Sequence, residues 1–370
     1  MNKKVIELMF SSDDGGAENL VKSYALTVDK SVFDIAVVVI RQFKNSSVYK
    51  ELLGNNAAPV SVFKHNSFIF KVVQKLNYSW YIPFKLKRLL KDADIIHIHL
   101  ELLKYIAPLS VHLKGKKLFY TCHSKPQIHL GRRDENKAAR KLIADNDLQM
   151  IALHEDMRKE INEMFGIDNT VVIRNGIDFD RFRNVSETRE MIRNDLSIPE
   201  GAFVIGHVGR FHEVKNHTFL IDVFSEICRQ RDDAFLLLVG DGTLRTSAEN
   251  KLDSLGLRGK YLILSHRTDI PQLMKAMDVF VFPSLYEGIP LTLIEAQVSG
   301  LRCIVSDKVP TEAFQTELAV PMSLESTVGE WCRTVLDDSI KGIAHGNIED
   351  YDMNKEIKRL EKLYLGESDV

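Results

Sequence analysis

The chain has 370 residues, which is long enough for two domains that each bury a full core. Its 45% hydrophobic and 27% charged residues are ordinary globular values and exclude a disordered, collagen-like or coiled-coil architecture. The apolar runs are far shorter than the ~20 residues of a membrane span, and the start of the sequence lacks the pattern of a secretory signal. We therefore expect a cytoplasmic protein that can also lie peripherally on the inner face of the cell membrane.

The charge is unevenly distributed along the chain. Residues 1–184 carry 29 Lys and Arg against 21 Asp and Glu, a formal charge of +8, whereas residues 185–370 carry 20 against 30, a charge of -10. Opposite signs indicate two domains with different partners. The basic half is compatible with nucleic acid, an anionic membrane or a phosphorylated substrate, and charge alone does not choose between them. The four scattered cysteines form no C-x-x-C pair and predict neither a disulfide framework nor a zinc site.

Short β-branched runs alternate with segments of helical period along the chain, a pattern typical of βαβ units around parallel sheets. In the first half, strands are predicted at residues 5–10, 34–40, 60–63, 95–99, 118–122, 150–153 and 170–173. In the second half, they are predicted at residues 203–208, 235–239, 261–264, 279–282 and 302–305. The sequence therefore predicts an α/β fold of two Rossmann-like, doubly wound parallel-sheet domains.

A polar segment broken by Pro199 and Gly201 separates the two sets of strands. We place the first domain at residues 1–184 and the second at residues 185–350. Residues 351–370 read as a charged amphipathic helix with a frayed end.

The segment FPSLYEGIPLTLIEAQVSG, residues 282–300, follows a predicted strand directly. Pro290 suits the first turn of a helix, and Gly288 lets the backbone approach a ligand closely. A helix N-terminus at the carboxyl end of a parallel strand presents unpaired amides and partial positive charge, which suits a diphosphate. Glu287 and Glu295 can then reach different parts of one extended ligand. The alternative is that Glu287 caps the helix and Glu295 is simply solvated.

A second phosphate-binding pattern lies in GRFHEVKNH, residues 209–217, which also follows a strand. Arg210 offers a forked donor and Lys215 a point charge, and both suit pyrophosphate oxygens. Either residue alone would more simply form a surface ion pair. Two such patterns at strand ends of one domain point to a nucleotide ligand.

Three further patterns have competing interpretations. The sequence Asp92-Ala93-Asp94 resembles a metal-nucleotide motif, but it precedes a strand and so faces the wrong end of the sheet. The stretch at 240–245 begins like a dinucleotide fingerprint, but Arg245 replaces the third glycine. His97 and His99 share one face of a strand but lack a nearby third ligand, so we interpret them as sheet and cleft residues rather than metal ligands.

The segment at residues 64–91 interleaves aromatic and basic side chains. These are Phe68, Phe70, Trp80, Tyr81 and Phe84 among Lys71, Lys75, Lys85, Lys87, Arg88 and Lys91. Such a mixture can lie on an anionic membrane, and the alternative is a half-buried helix with a solvated basic face.

Taken together, the motifs resemble those of the retaining glycosyltransferases of family 4, which have the GT-B fold. The resemblance rests on these segments: GGAE at 15–18, DADIIHIH at 92–99, TCHS at 121–124, NGIDFDRF at 175–182, Arg210 to Lys215, GDG at 240–242 and EGIPLTLIE at 287–295. Within the family, residues 288–307 look most like bacterial exopolysaccharide and capsule enzymes. The resemblance implies two domains facing across a cleft and a closing helix that crosses back to the first domain.

The resemblance also implies residue roles. Arg210 and Lys215 would hold the donor diphosphate and compensate the charge of the leaving nucleotide. Glu287 would contact the donor sugar and Glu295 the ribose hydroxyls. His123 would bond the donor sugar, although a purely structural histidine is the alternative. The catalytic set is then Glu287, His123, Arg210 and Lys215, and the donor-binding set is Gly16, Gly209, Arg210, Lys215, Gly240, Glu287, Gly288, Ile289, Pro290, Leu291 and Glu295.

The paired glycines of GGAE permit a tight turn before a helix, and an ordinary βα turn is the alternative. The expected activity is retaining transfer of a hexose or N-acetylhexosamine from a nucleotide-diphosphate sugar, with UDP preferred, to a glycan or polyprenyl-diphosphate-linked acceptor. No cofactor or metal and no nucleic-acid partner is expected. Retention by front-face attack competes with a covalent glycosyl intermediate. The alternative functions are a nucleotide-sugar 2-epimerase and a non-catalytic sugar-nucleotide-binding subunit.

Overall fold

The computed structural model describes residues 2–13, 15–63 and 80–367. The chain divides into two compact units. Unit 1 comprises Met1–Gly176 together with Met353–Val370, and unit 2 comprises Ile177–Asp352. By sequence, the formal charges of these two units are again +8 and -10.

Unit 1 is built on a parallel sheet of seven strands in the order β3-β2-β1-β4-β5-β6-β7. The strands are β1 Lys3–Ser11, β2 Phe33–Arg41, β3 Val60–Phe63, β4 Ile95–His99, β5 Lys117–Thr121, β6 Gln149–Ala152 and β7 Val171–Val172. The chain adds strands outward in one direction from β1 and in the opposite direction from β4, so the strand order reverses between these two parallel strands. Ligands of such sheets bind beyond the carboxyl ends of the strands at that point.

The helices of unit 1 flank its sheet. They are α1 Gly16–Thr27, α2 Ser47–Gly54, α3 Tyr81–Leu89, α4 Leu103–Ile106, α5 Pro126–His129, α6 Arg133–Asn146 and α7 Glu155–Phe165, with a 3-10 helix at Ala107–Leu113. The last helix of the chain, which we number α15 (Met353–Leu365), also belongs to this unit. Its Leu360 and Tyr364 pack with Val5 and Phe33, so the apolar face of α15 completes one side of the core of unit 1.

Unit 2 is built on a six-stranded sheet in the order β10-β9-β8-β11-β12-β13, again with every pairing parallel. The strands are β8 Phe203–Val208, β9 Ala234–Val239, β10 Tyr261–Leu264, β11 Val279–Phe282, β12 Arg302–Ser306 and β13 Ala319–Met322. The reversal in this sheet lies between β8 and β11. The two strands that precede the predicted phosphate-binding segments are therefore neighbours.

The helices of unit 2 complete the doubly wound pattern. They are α8 Phe179–Arg183, α9 Arg189–Asp195, α10 His217–Gln230, α11 Arg245–Ser254, α12 Ile270–Lys275, α13 Leu291–Val298 and α14 Val328–Leu336, with 3-10 helices at Glu213–Lys215, Thr311–Ala313 and Ile348–Tyr351. Every residue of β9 is buried, as expected for a strand covered on both faces.

Two details differ from the sequence prediction. The first boundary lies after Gly176 rather than after Asn184, because Phe179 and Phe182 of α8 pack into the core of unit 2. The edge strand β13 was not predicted, because Pro321 interrupts its apolar run and proline normally argues against a strand except at a sheet edge. Each strand that was predicted is present, with ends that shift by at most two residues.

Candidate active site

The switch point of unit 2 brings Lys215 and Glu287 together. Lys215 lies in the 3-10 turn after β8, and Glu287 lies in the loop after β11. The Lys215 Nζ donates to Glu287 Oε1 at 2.6 Å and lies 4.6 Å from the centre of the Phe282 ring. The side chains are only 17% and 14% exposed, so this is a partly desolvated ion pair. The Leu285 amide donates to the Val214 carbonyl at 2.8 Å and ties the two loops to each other.

Arg210 lies beside this pair in sequence but in a different environment. Its side chain is exposed, and no side-chain hydrogen bond or ion pair joins it to another of the described residues. Because Lys215 is neutralised by Glu287, Arg210 is the cation of this loop that remains available to an anion. A forked guanidinium suits the oxygens of a diphosphate.

Helix α13 begins directly after the Glu287 loop. The helix starts at Leu291, and Pro290 is its N-cap rather than its first residue. Pro290 supplies no side chain that could cap the helix, so the first amides of α13 are not satisfied by a cap. An added Cβ at Gly288 would meet nothing within 4 Å, so open space adjoins this loop. The geometry provides the uncapped helix N-terminus that the sequence predicted.

Glu295 is half-buried on α13, between the first turns and the end of the helix. Burial raises the pKa of its carboxyl group to about 7, although the positive charge of Arg181 lowers it in part. No hydrogen bond joins this carboxyl group to another residue within the described ranges. A carboxylate of this kind can accept hydrogen bonds from a ligand without first breaking an internal contact.

The glycines of the GDG segment allow two loops to approach each other. Gly240 has φ +154°, and a Cβ there would come within 2.0 Å of the Gly209 carbonyl oxygen. Gly242 has φ +150°, and a Cβ there would come within 2.4 Å of the Phe211 carbonyl oxygen. The loops after β8 and β9 therefore pack backbone to backbone. This packing explains the glycines structurally and positions Arg210 at the strand ends.

A buried histidine follows the Lys215 turn. His217 is the first residue of α10, and its ring stacks on Phe211 at 4.2 Å. Burial, aided by the charge of Lys215, lowers the pKa of His217 to about 4. His217 is therefore neutral at physiological pH and adds no positive charge to the site.

In unit 1, His123 follows β5 and belongs to a buried hydrogen-bonded network. Its Nε2 lies 2.9 Å from His99 Nδ1, and His99 Nε2 lies 2.7 Å from Glu7 Oε2. The Tyr364 hydroxyl donates to Glu7 Oε1 at 2.7 Å. His97 Nδ1 lies 2.6 Å from the Tyr364 oxygen. The network thus joins four elements of unit 1, namely β1, β4, the end of β5 and α15.

The prediction that His97 and His99 lack a third potential metal ligand was wrong. Glu7 lies between them, and one ligand atom from each of the three residues falls within 4.8 Å of the others. However, both nitrogens of His99 and both oxygens of Glu7 already form hydrogen bonds, and the second nitrogen of His97 pairs with Thr121 Oγ1 at 2.7 Å. We therefore treat the cluster as a hydrogen-bond network.

The GGAE turn and a nearby pocket lie at the reversal of the first sheet. Helix α1 starts at Gly16, and its N-cap Gly15 offers no side-chain cap. A Cβ at Gly16 would meet nothing within 4 Å. A pocket of about 320 Å³ adjoins the ends of β1 and β4; its lining residues are Phe10, Ser11, Leu100, Glu101, Lys104 and His129. Unit 1 therefore has concave space at the edge where a ligand is expected.

Asp92 and Asp94 lie at the opposite edge of the sheet, as predicted from their position before β4. They line a separate cavity of about 1040 Å³ with residues from the starts of β1 and β2. The Asp94 carboxylate accepts a hydrogen bond from the backbone amide of Lys4 at 2.9 Å, and this bond joins the starts of β1 and β4. A structural role accounts for Asp94.

Comparison with known proteins decides the family. The family model described as Glycosyltransferase Family 4 matches residues 14–181, and the model described as Glycosyl transferases group 1 matches residues 188–315. EpsF of Bacillus subtilis (strain 168), which is named as a glycosyltransferase, is 30% identical over 349 residues, and the match covers 90% of this chain and 87% of EpsF. The chain belongs to glycosyltransferase family 4.

Two further proteins are similar to this family 4 glycosyltransferase. An Escherichia coli protein named UDP-Gal:alpha-D-GlcNAc-diphosphoundecaprenol alpha-1,3-galactosyltransferase is 29% identical over 305 residues, and the match covers 76% of this chain and 78% of that protein. The crystal structure of Anabaena HepE with UDP and glucose superposes with a TM-score of 0.74 at 18% identity, over 99% of this chain and 100% of HepE. The predicted family and the GT-B fold are thereby confirmed.

The structure of the glycosyltransferase places its predicted site residues in two groups. Gly209, Arg210, Lys215, Gly240, Glu295 and the 287–291 segment lie in unit 2, on segments that follow its strands at their carboxyl ends. Gly16 and His123 follow strands of unit 1. The roles assigned to these residues remain predictions.

Sequence reasoning missed Glu7 and Tyr364. Glu7 is a charged residue inside the apolar run VIELMF of β1, and parallel strands of such folds are usually buried on both faces. A buried carboxylate requires partners, so this position could have been recognised. The partners themselves could not, because Tyr364 lies 357 residues away in sequence.

Proposed function

We propose that this glycosyltransferase moves a hexose or N-acetylhexosamine, with retention, from a UDP-sugar to a glycan or polyprenyl-diphosphate-linked acceptor in bacterial surface polysaccharide synthesis. The observation that carries the proposal is the set of Arg210, the Lys215–Glu287 pair and the uncapped start of α13 at one switch point. The name of the E. coli relative, which specifies UDP-Gal and a diphosphoundecaprenol acceptor, supports the donor and acceptor classes.

In this proposal, the positive groups of unit 2 hold the donor diphosphate. Arg210, the Lys215 ammonium and the first amides of α13 bind its oxygens and stabilise the charge that develops as the bond from the anomeric carbon to the phosphate oxygen breaks. These cations supply the charge compensation that a divalent metal provides in other transferases, so the proposed reaction is metal-independent. The Glu295 carboxylate accepts hydrogen bonds from the ribose hydroxyls.

Glu287 lies where it can exchange its Lys215 contact for hydroxyls of the donor sugar. Its negative charge then stabilises oxocarbenium-like charge at the anomeric carbon. The acceptor hydroxyl attacks on the face from which the diphosphate leaves, and its proton passes to a phosphate oxygen of the leaving group. The configuration at the anomeric carbon is retained. His123 hydrogen-bonds a hydroxyl of the transferred sugar.

We propose that unit 1 binds the acceptor at the pocket of about 320 Å³ beyond β1 and β4. Phe10 offers an apolar wall there, and Glu101 offers a carboxylate to sugar hydroxyls. The Glu101 side chain is already oriented by His129, whose Nδ1 lies 2.7 Å from its Oε1. A sugar acceptor combines apolar faces with hydroxyl groups and fits this combination of side chains.

We also propose that helix α3 of unit 1 makes peripheral contact with an anionic membrane, next to a lipid-linked acceptor. Trp80 and Phe84 are 70% and 66% exposed and lie four residues apart at this helix, while Lys85, Lys87 and Arg88 are also exposed. The part of the predicted membrane segment at residues 64–79, including Phe68, Phe70, Lys71 and Lys75, lies outside the described residues. No described helix combines the length and apolar character needed to cross a membrane.

The donor assignment is tested with a thermal-shift panel of nucleoside diphosphates and their sugars. A ligand that binds the folded chain at a hundredfold excess over its Kd raises Tm by roughly 5–10 °C. We expect UDP and UDP-sugars to do so. An unresponsive chain, or one that responds to another nucleotide class instead, contradicts the donor proposal.

The reaction is tested by incubating the responding UDP-sugar with and without a polyprenyl-diphosphate-linked sugar, and by NMR of the anomeric proton in the product. We expect transfer with the donor configuration retained and a rate unchanged by a chelator. Isomerised sugar from the donor alone indicates an epimerase instead. If the chain binds the donor but neither transfers the sugar nor slowly hydrolyses the donor, it is a non-catalytic subunit.

A further inference from the structure

The network of unit 1 contains a charged group that the proposed mechanism does not use. Glu7 is completely buried on β1, as are His97 and His99 on β4. A buried carboxylate is costly unless hydrogen bonds and charge satisfy it. Burial alone would raise the pKa of Glu7, but the adjacent His97, whose Nδ1 lies 3.4 Å from Oε2, and the hydrogen bond of His99 hold it well below its usual range. Glu7 is therefore ionised at neutral pH and can only accept hydrogen bonds.

This charge determines where the proton of His99 lies. His99 Nε2 lies 2.7 Å from Glu7 Oε2, and an ionised carboxylate requires a donor at that distance. Burial lowers the pKa of His99 to about 4, so the ring is neutral and carries one proton. That proton is on Nε2. Nδ1 of His99 is then an unprotonated acceptor.

The same reasoning extends to His123. Its Nε2 lies 2.9 Å from His99 Nδ1, so Nε2 of His123 must be the donor. Burial lowers the pKa of His123 well below its usual range, and the neutral ring has no second proton. The remaining nitrogen, Nδ1, is left with a lone pair. Within the described part of the chain no residue hydrogen-bonds this nitrogen, and the His123 side chain is partly exposed.

We propose that Glu7, acting through His99, holds His123 in the tautomer with its proton on Nε2, so that Nδ1 accepts a hydrogen bond from a substrate hydroxyl. Glu7 and His99 are positioning residues in this account. Only the substrate contact rests on the proposed function, since the tautomer follows from the hydrogen bonds of unit 1.

The other branch of the network provides a matched control. Tyr364 donates to the second oxygen of Glu7 and is also buried, but its hydroxyl does not touch His99 or His123. Tyr364→Phe removes a buried hydrogen bond of Glu7 and leaves the carboxylate facing His99. Glu7→Gln replaces the carboxylate by an amide whose NH₂ can donate to His99 Nε2. His99 would then carry its proton on Nδ1 and donate it to Nε2 of His123. The proton of His123 would in turn lie on Nδ1 of His123.

The test is long-range proton–nitrogen NMR of the full-length protein labelled with ¹⁵N-histidine, with the His123 signals assigned by comparison with His123→Asn. We expect the Nε2–H pattern in the wild-type protein and in Tyr364→Phe, and an Nδ1–H pattern or a mixture of the two in Glu7→Gln. A wild-type His123 protonated on Nδ1 overturns the proposal whether or not Glu7→Gln and Tyr364→Phe fold. An unaltered tautomer in Glu7→Gln, or the same change in both variants, also overturns it.

Activity gives a second measurement. We expect Glu7→Gln to lower kcat by about 10- to 100-fold, the size of effect known for losing the hydrogen-bond partner that orients a metal-ligating histidine, while the thermal shift produced by the donor is retained. Equal losses of kcat in Glu7→Gln and Tyr364→Phe would indicate a structural role and contradict the proposal. If the chain transfers no sugar at all, the proposed function fails, and the NMR result still decides the tautomer.

Discussion

At the scale of single residues, the main finding is that two side chains predicted to contact a ligand contact each other. Lys215 and Glu287 form a partly buried pair at 2.6 Å. Such a pair fixes both side chains before a donor arrives, and this preorganisation favours transition-state stabilisation. Removing either partner leaves the other charge partly desolvated and unpaired.

We predict that Lys215→Ala and Glu287→Ala each lower kcat/KM by about 100- to 1000-fold, the usual effect of removing one electrostatic stabiliser. Far-UV circular dichroism should show that both variants keep the fold. Lys251→Ala is the matched control, because Lys251 also forms a 2.6 Å ion pair in unit 2, with Asp222, but takes no part in the proposed site. Full turnover by either site variant would contradict the assigned roles.

Glu295 gives a prediction about pH. Its pKa is raised in the folded state to about 7, from an ordinary value of 4.5, so the fold binds a proton here that the unfolded chain has lost. The folded protein therefore loses stability as pH rises between these two values. In urea unfolding, the stability of Glu295→Gln relative to the wild-type protein should rise by about 1–2 kcal/mol from pH 5 to pH 8, after allowance for the partial exposure of the side chain.

The control for this titration is Glu330→Gln. Hydrogen bonds from the Thr327 amide and hydroxyl lower the pKa of Glu330 below its ordinary value, so this group stays ionised throughout the range from pH 5 to pH 8. Its replacement should change stability by the same amount at both pH values. A constant difference for Glu295→Gln as well would show that Glu295 does not titrate in this range.

At the scale of elements, helices and strands with strong local patterns were predictable, and their long-range contacts were not. The apolar run of β11 and the Gly288–Pro290 turn located α13 to within one residue of its observed start. The contact between Lys215 and Glu287 spans 72 residues and depends on the adjacency of β8 and β11, which no local pattern encodes. The network around Glu7 escaped prediction for the same reason.

Helix α3 gives a prediction at this scale. If its exposed aromatic and basic residues bind lipid, the protein should float with anionic liposomes, and the binding should weaken at high salt because the attraction is partly electrostatic. Phe84→Ala should reduce flotation. Val111→Ala is the control and should leave flotation unchanged. Val111 is 72% exposed, about as much as Phe84, but lies outside this helix. Flotation that is indifferent to lipid charge would contradict membrane contact through α3.

At the scale of the whole molecule, the two units differ in how the chain forms them. Unit 2 is one continuous segment, whereas unit 1 joins the first 176 residues to the last helix of the chain. The apolar face of α15 is therefore a part of the core of unit 1 and not an appendage. The sequence predicted the helix from its amphipathic period, but the residues it packs against lie at the other end of the chain.

We predict that Leu360→Ala lowers the free energy of unfolding by about 2–5 kcal/mol, because Leu360 is completely buried and the substitution leaves a cavity. Leu365→Ala, in the same helix at 42% exposure, should have a much smaller effect. Urea unfolding followed by circular dichroism measures both. Equal effects of the two substitutions would show that α15 contributes little to the core.

The hydrogen bond from Tyr364 to Glu7 has a consequence for synthesis on the ribosome. The carboxylate is translated 357 residues before the phenol, and the whole of unit 2 lies between them in sequence. Unit 2 is complete in sequence well before that moment. Unit 1 is incomplete until α15 has been translated, so a product terminated before Tyr364 would carry a carboxylate in its core without one of its hydrogen-bond donors and would be a target for quality-control proteases.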